Sequence, residues 1–194
     1  MIVGYHVIFG AYGFWLPNDP RGSWSEFVGS WDLARYGKAT KTDARRSVAH
    51  QRHDREARLA AKRSLKRPAV KFSGIQARAV GRGFAKYSEN SGLRIWACAI
   101  LPDHIHFVFD RTKLDAEQIV IQLKGEATRS LNAEGIHPFQ ATAGARPPKC
   151  FAQKEWAVYL DAEDVPRAIQ YVENNPIKEG LPRQHWPFVV PHEG

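Results

Sequence analysis

Leu93–Phe109 reads LRIWACAILPDHIHFVF, two apolar runs separated by Pro102-Asp103. The first run, Leu93–Leu101, has the length and composition of a buried strand. Pro102 carries no amide N–H and has a fixed φ, so it breaks that run, and HIHFVF then alternates as a second strand. So short a connection makes the two strands an antiparallel hairpin. On the second strand His104 and His106 are two residues apart and share one face, while Ile105 points to the other. An H-x-H pair is commonly one exposed ring and one satisfied structural histidine. Here the apolar flanks mark a central strand, where two neighbouring polar rings need a purpose. Two imidazoles on one face can reach a single divalent ion and leave it open positions, which suits a catalytic site better than a structural one.

Working outward, Ile2–Phe9 (IVGYHVIF) reads as a buried strand, followed by AYGFWLPNDPRGSW, a structured loop rich in Gly, Pro and aromatic residues. HDREARLAAKRSLK has good helix formers and stops before Pro68. A second helical pattern over about Phe72–Tyr87 places Ile75, Ala79, Val80, Phe84 and Tyr87 at helical spacing, weakened by Gly81 and Gly83. Leu114–Leu131 is amphipathic, with Ile119, Leu123 and Leu131 on one face. ATAGARPP is a loop. Phe151–Leu160 alternates as a last strand. A final helix, AEDVPRAIQYVENN, takes Asp161 as N-cap and Asp164 at N3, and should end before Pro176. The order is close to β-α-β-β-α-β with an added C-terminal helix. It predicts an α+β fold: a ferredoxin-like antiparallel sheet with helices on one face, in a single domain over 1–194.

Composition narrows the class. The chain has 194 residues, of which 43% are hydrophobic and 25% charged, enough for a sizeable core and too apolar for a disordered chain. No apolar run approaches the roughly 18–20 residues that span a bilayer. The start, MIVGYHVIF, lacks the basic region and cleavage site of a secretory signal. Cys98 and Cys150 are too few for a disulfide framework or a four-thiolate metal site. A soluble cytoplasmic protein is expected. The net charge of +8 is unevenly spread: Arg35–Lys71 holds 13 Lys/Arg against three acids, and the remainder is slightly acidic. This basic insertion, about 30–71, is either a solvated face or a contact for a polyanion.

A second constellation is Tyr171-Val172-Glu173-Asn174-Asn175-Pro176. Tyr171 and Asn175 are i and i+4 on a helix and therefore share a face. A phenol and an amide oxygen so placed could serve as nucleophile and metal ligand; equally, such a Tyr can be packing and an Asn before Pro a cap. Other H-x-H enzymes do not fit. An amidohydrolase barrel needs about 250 residues, and the paired H-x-[ST] motifs of cyclic phosphodiesterases do not occur.

The combination of LPDHIHFVF with YVENNPIKEGL resembles the single-tyrosine HUH transposases, in particular the REP-associated tyrosine transposases. YHVIF, QLKGEATRSLN, WAVYLD, QHWPF and WLPNDPRG extend the resemblance over nearly the whole chain. The long Arg35–Lys71 segment departs from it. The resemblance implies a divalent metal, Mg²⁺ or Mn²⁺, held by His104, His106 and Asn175, with Tyr171 as nucleophile. It implies transesterification on single-stranded or hairpin DNA through a covalent 5′-phosphotyrosine. In that superfamily the tyrosine helix serves its own subunit or is exchanged within a homodimer, and the sequence does not choose. With phosphate chemistry in view, Arg45, Arg46, Arg63, Lys66 and Arg67 become candidate DNA contacts, with Lys124 and Arg129 on the middle helix. Trp15 and Trp24, near Arg21, could stack on bases or pack in the core. The alternative function is a non-catalytic, transposase-derived protein that holds structured or single-stranded DNA. Tyr159 is the competing tyrosine.

Overall fold

The computed structural model describes residues 1–19, 31–38, 53–139 and 145–193. Its elements are β1 (Ile2–Ala11), α1 (Trp31–Ala34), α2 (Arg55–Arg63), α3 (Gly74–Ser91), β2 (Ile95–Ile100), β3 (His104–Asp110), α4 (Ala116–Ala133), β4 (Phe151–Asp161) and α5 (Val165–Lys178). The strands form one sheet in the order β2-β3-β1-β4, antiparallel throughout. The hairpin closes where Leu101 N–H bonds the His104 carbonyl at 2.9 Å across Pro102-Asp103. This is the α+β ferredoxin-like arrangement.

Alternation along the strands gives the sheet two apolar faces. Tyr5, Val7 and Phe9 of β1 join Ile105, Phe107 and Phe109 of β3 in the main core, closed by Val80 and Phe84 of α3 and Ile119, Leu123 and Leu131 of α4. Gly83, which weakens the helical pattern in sequence, lets α3 and α4 approach. A Cβ there would lie 2.6 Å from the Ala127 backbone, so the propensity cost is offset by packing. Reciprocal capping boxes, Ser73 with Gln76 and Asp115 with Gln118, set the starts of α3 and α4. On the opposite face Trp96, Ala99, Val108 and Leu160 pack against Val165, Ala168 and Val172 of α5. The helices are thus divided between the faces: α3 and α4 pack on the first and α5 on the second.

Two expectations about α5 are corrected. Asp161 is the last residue of β4, and its carboxylate accepts from Asp164 N–H at 3.2 Å in a turn. The helix starts at Val165 with Pro166 in its first turn, where a missing N–H costs nothing. It also runs through Pro176. Proline removes only the bond to the Val172 carbonyl, and burial of Asn175 and Pro176 holds the last turn. Glu179 N–H then bonds the Asn175 and Pro176 carbonyls, and Gly180, at φ 72°, ends the helix. Asn175 therefore keeps helical spacing from Tyr171.

A smaller cluster of Leu16, Leu33 and Ala61, with Tyr36 and Leu65 against it, ties the loop after β1 to α1 and α2. The α2 helix is capped by Asp54, which accepts from Ala57 N–H at 2.8 Å. Arg21, Trp24, Arg45 and Arg46 lie outside the described residues. Cys98 and Cys150 are both free and buried.

Candidate active site

The register of β1 with β3 sets Gly10 opposite His104, Ile8 opposite His106 and His6 opposite Val108. All share the face that receives α5. His104 and His106 project side by side, with ring centroids 5.0 Å apart. His104 is held from two sides: its Nδ1–H donates to Asp103 Oδ1 at 2.7 Å, and its ring stacks on Phe14 at 4.6 Å. Gly10 makes that stack feasible, because a Cβ there would fall 2.5 Å from the Phe14 Cβ. His106 is 3% exposed. Burial holds its pKa well below the ordinary value, with smaller contributions in the same direction from His104, His6 and Lys178.

The tyrosine helix completes the cluster. The Tyr171 ring meets His106 edge-on at 5.8 Å and His6 at 5.6 Å, all within one chain. Tyr171 is 42% exposed. Partial burial raises its phenol above the ordinary value; the nearby Asn175 amide works against the rise, and Glu179 adds to it. The Lys178 ammonium lies 4.6 Å from the centre of the Tyr171 ring. Tyr159 is placed differently. It registers with Tyr5 and packs on that ring at 5.4 Å, on the opposite face of the sheet from the histidines.

His104, with its Nδ1 proton on Asp103, has its Nε2 lone pair free. Asn175 is 7% exposed, and its amide nitrogen has no hydrogen-bond partner. A half-turn about χ2 exchanges that nitrogen for the oxygen, so the buried amide can offer either atom. Among the described residues no cluster of three or more His, Cys, Asp or Glu could hold a metal. Two imidazoles on β3 and a buried amide on α5 are the donors on this side of the sheet.

The expected DNA contacts fare unequally. Arg63, Lys66 and Arg67 are exposed at the end of α2 and just beyond it. Lys66 pairs with Asp32 at 3.4 Å, and Arg67 lies 6.0 Å from the centre of the Phe139 ring. Arg129 is exposed and pairs with Glu126 one turn away. Lys124 has another occupation. Its side chain is 12% exposed, and its ammonium donates to the Ala152, Gln153 and Lys154 carbonyls at 2.9, 3.3 and 3.3 Å, clamping α4 to β4. Burial lowers its pKa to about 8. Trp15 is half-buried and packs on Phe14 at 5.0 Å.

Sequence reading passed over His6, Asp103, Phe14 and Lys178. His6 carried a usable signal: a lone imidazole in an apolar central strand needs a purpose as much as the H-x-H pair does.

A sheet that presents paired histidines to a helical tyrosine defines the site. The family model for IS200-like transposases matches residues 63–175, from the end of α2 through Asn175. That is more than half of the chain, and the protein belongs to the IS200-like transposase family. Its role is accordingly in DNA transposition or processing. Similar solved structures include a REP-associated tyrosine transposase bound to a REP hairpin, at 13% identity and a TM-score of 0.48, covering 96% of this chain and 74% of that one. Another, described as a transposase of Deinococcus radiodurans, gives 14% identity and a TM-score of 0.41 over 90% of this chain and 91% of that one. A comparison with curated proteins returned no match. No helix among the described residues is long and apolar enough to cross a membrane.

Proposed function

We propose that the protein cleaves and rejoins single-stranded or hairpin DNA through a covalent 5′-phosphotyrosine on Tyr171. The observation that carries this reading is the packing of the Tyr171 ring on His106, beside His104, in one chain. His104, His106 and Asn175 would hold a divalent cation, which when bound polarises a non-bridging phosphate oxygen and lowers the cost of charge on the phenol. Tyr171 Oη gives up its proton and attacks phosphorus in line. The bond to the 3′ oxygen breaks, and that oxygen leaves as a hydroxyl after taking a proton. The reverse attack by a 3′-hydroxyl rejoins a strand, so no nucleotide cofactor is consumed.

Burial raises the Tyr171 pKa, so the free site does not hold a ready phenolate. The Lys178 ammonium over the ring favours the phenolate and the approaching phosphate alike. The exposed Arg63, Lys66 and Arg67 supply backbone contacts to the strand. The fold leaves α5 seated on the same sheet that carries the histidines, which supports action of the tyrosine in its own subunit.

The test is incubation of a 5′- and 3′-labelled hairpin oligonucleotide with the protein and Mg²⁺ or Mn²⁺. A denaturant-stable protein–DNA adduct on the strand 3′ to the cut is expected. Tight, metal-independent binding with no adduct over a panel of hairpins would identify a non-catalytic DNA-binding protein instead.

A further inference from the structure

His6 lies outside the matched family segment and outside the three proposed ligands, yet it backs one of them directly. Diagonal to His106 across the β1–β3 pairing, it brings its Nε2 to 3.3 Å from His106 Nδ1, with the two ring planes 23° apart. A neutral imidazole carries one ring proton, and a hydrogen bond across this gap needs one of the two rings to place its proton there. Which ring does so decides the chemistry on the far side of His106. If His6 donates, His106 holds its own proton on Nε2 and cannot ligate through it. If His106 donates from Nδ1, its Nε2 is a free lone pair.

The neighbouring histidine displays the second arrangement. A carboxylate oxygen accepts, so the 2.7 Å contact of His104 Nδ1 with Asp103 Oδ1 fixes the proton on Nδ1. An acceptor behind a ligating imidazole orients the ring and raises its basicity. Behind His106, which is almost fully buried, a second carboxylate would carry a heavy desolvation cost, whereas an imidazole nitrogen accepts without net charge.

We propose that His6 is a positioning residue: its Nε2 accepts the Nδ1–H of His106, as Asp103 accepts that of His104, so that both ligand histidines turn an Nε2 lone pair to the cation. The inference rests on the metal-site reading of His104, His106 and Asn175.

Long-range ¹H–¹⁵N correlation spectra of the metal-free full chain at neutral pH read the tautomer directly. The Nδ1–H form of His106 is expected, and the Nε2–H form overturns the proposal without any metal being involved. His6→Leu removes the acceptor and should mix the His106 tautomers and weaken Mn²⁺ binding by roughly 10–100-fold, read from the free-Mn²⁺ electron paramagnetic resonance signal. His6→Gln places Oε1 where Nε2 stood and should restore most of that affinity. A His6→Leu protein that binds Mn²⁺ as tightly as wild type overturns the proposal. A wild-type protein with the Nδ1–H tautomer, absent in His6→Leu, that binds no Mn²⁺ supports the role of His6 and sinks the metal reading instead.

Discussion

Tyr171 and His106 meet edge to face with ring centroids 5.8 Å apart, although one comes from the last helix and the other from a central strand. The contact depends on α5 packing on the face of the sheet that α3 and α4 leave free. It puts a phenol beside an imidazole within one chain.

Tyr171→Phe should abolish the covalent DNA adduct while single-strand affinity stays within about two-fold, since only a hydroxyl is removed. Gel resolution of the denatured adduct measures the first, fluorescence anisotropy the second. Tyr159→Phe, on the opposite face, should leave both unchanged. The reverse pattern would show that Tyr159 is the nucleophile.

Chelation should stop adduct formation, and Mg²⁺ or Mn²⁺ should restore it. Asn175→Ala should weaken the apparent affinity for the metal by at least about ten-fold, because a hard-oxygen donor is removed. Undiminished affinity for Mn²⁺ in the Asn175→Ala protein would exclude the amide from the ligand set.

Neutralising Arg63, Lys66 and Arg67 together should weaken binding to all DNA sequences alike. It should flatten the salt dependence by roughly 0.7 log–log units for each phosphate of the single strand that no longer meets a cation. Adduct formation at saturating DNA should persist. A solvated surface with no role would leave affinity and slope as they were.

Lys124→Met should cost about 2 kcal/mol of stability, because three strand carbonyls are deprived of a charged donor. Urea unfolding measures this. The salt slope of DNA binding should not change, which separates Lys124 from the exposed cations of α2.

Mild acid should destabilise the fold through its buried histidines. Desolvation lowers His6 to about 4 from 6.5, and His106 shifts in the same direction. Between those limits the unfolded chain binds more protons, so stability is fully present above pH 6.5 and falls as pH drops towards 4. Urea midpoints at about pH 7 and about pH 5 should differ in that sense, and His6→Gln should narrow the gap. Equal gaps in the two proteins would remove His6 as a cause.

The hairpin was legible in LRIWACAILPDHIHFVF because strand periodicity and the proline break are local properties of the chain. The shared face of His104 and His106 follows from the same period of two. So did the Tyr171–Asn175 spacing, because a helix sets i and i+4 without help. The end of α5 was not legible. Local preference stops a helix before Pro176, and burial of Asn175 and Pro176 in the fold carries it onward. Lys124 shows the same limit. A lysine on an amphipathic helix reads as a surface cation until the strand it clamps is in place.

By itself, the sequence determined the four strands and every helix but α1, their order, and which pairs of residues share a face, since each follows from neighbours a few positions apart. The tertiary structure decided what those faces meet: α5 on the second side of the sheet, Tyr171 rather than Tyr159 beside the histidines, and His6 behind His106. These depend on strand order and register, set by how distant apolar surfaces fit together, and no local pattern encodes that fit.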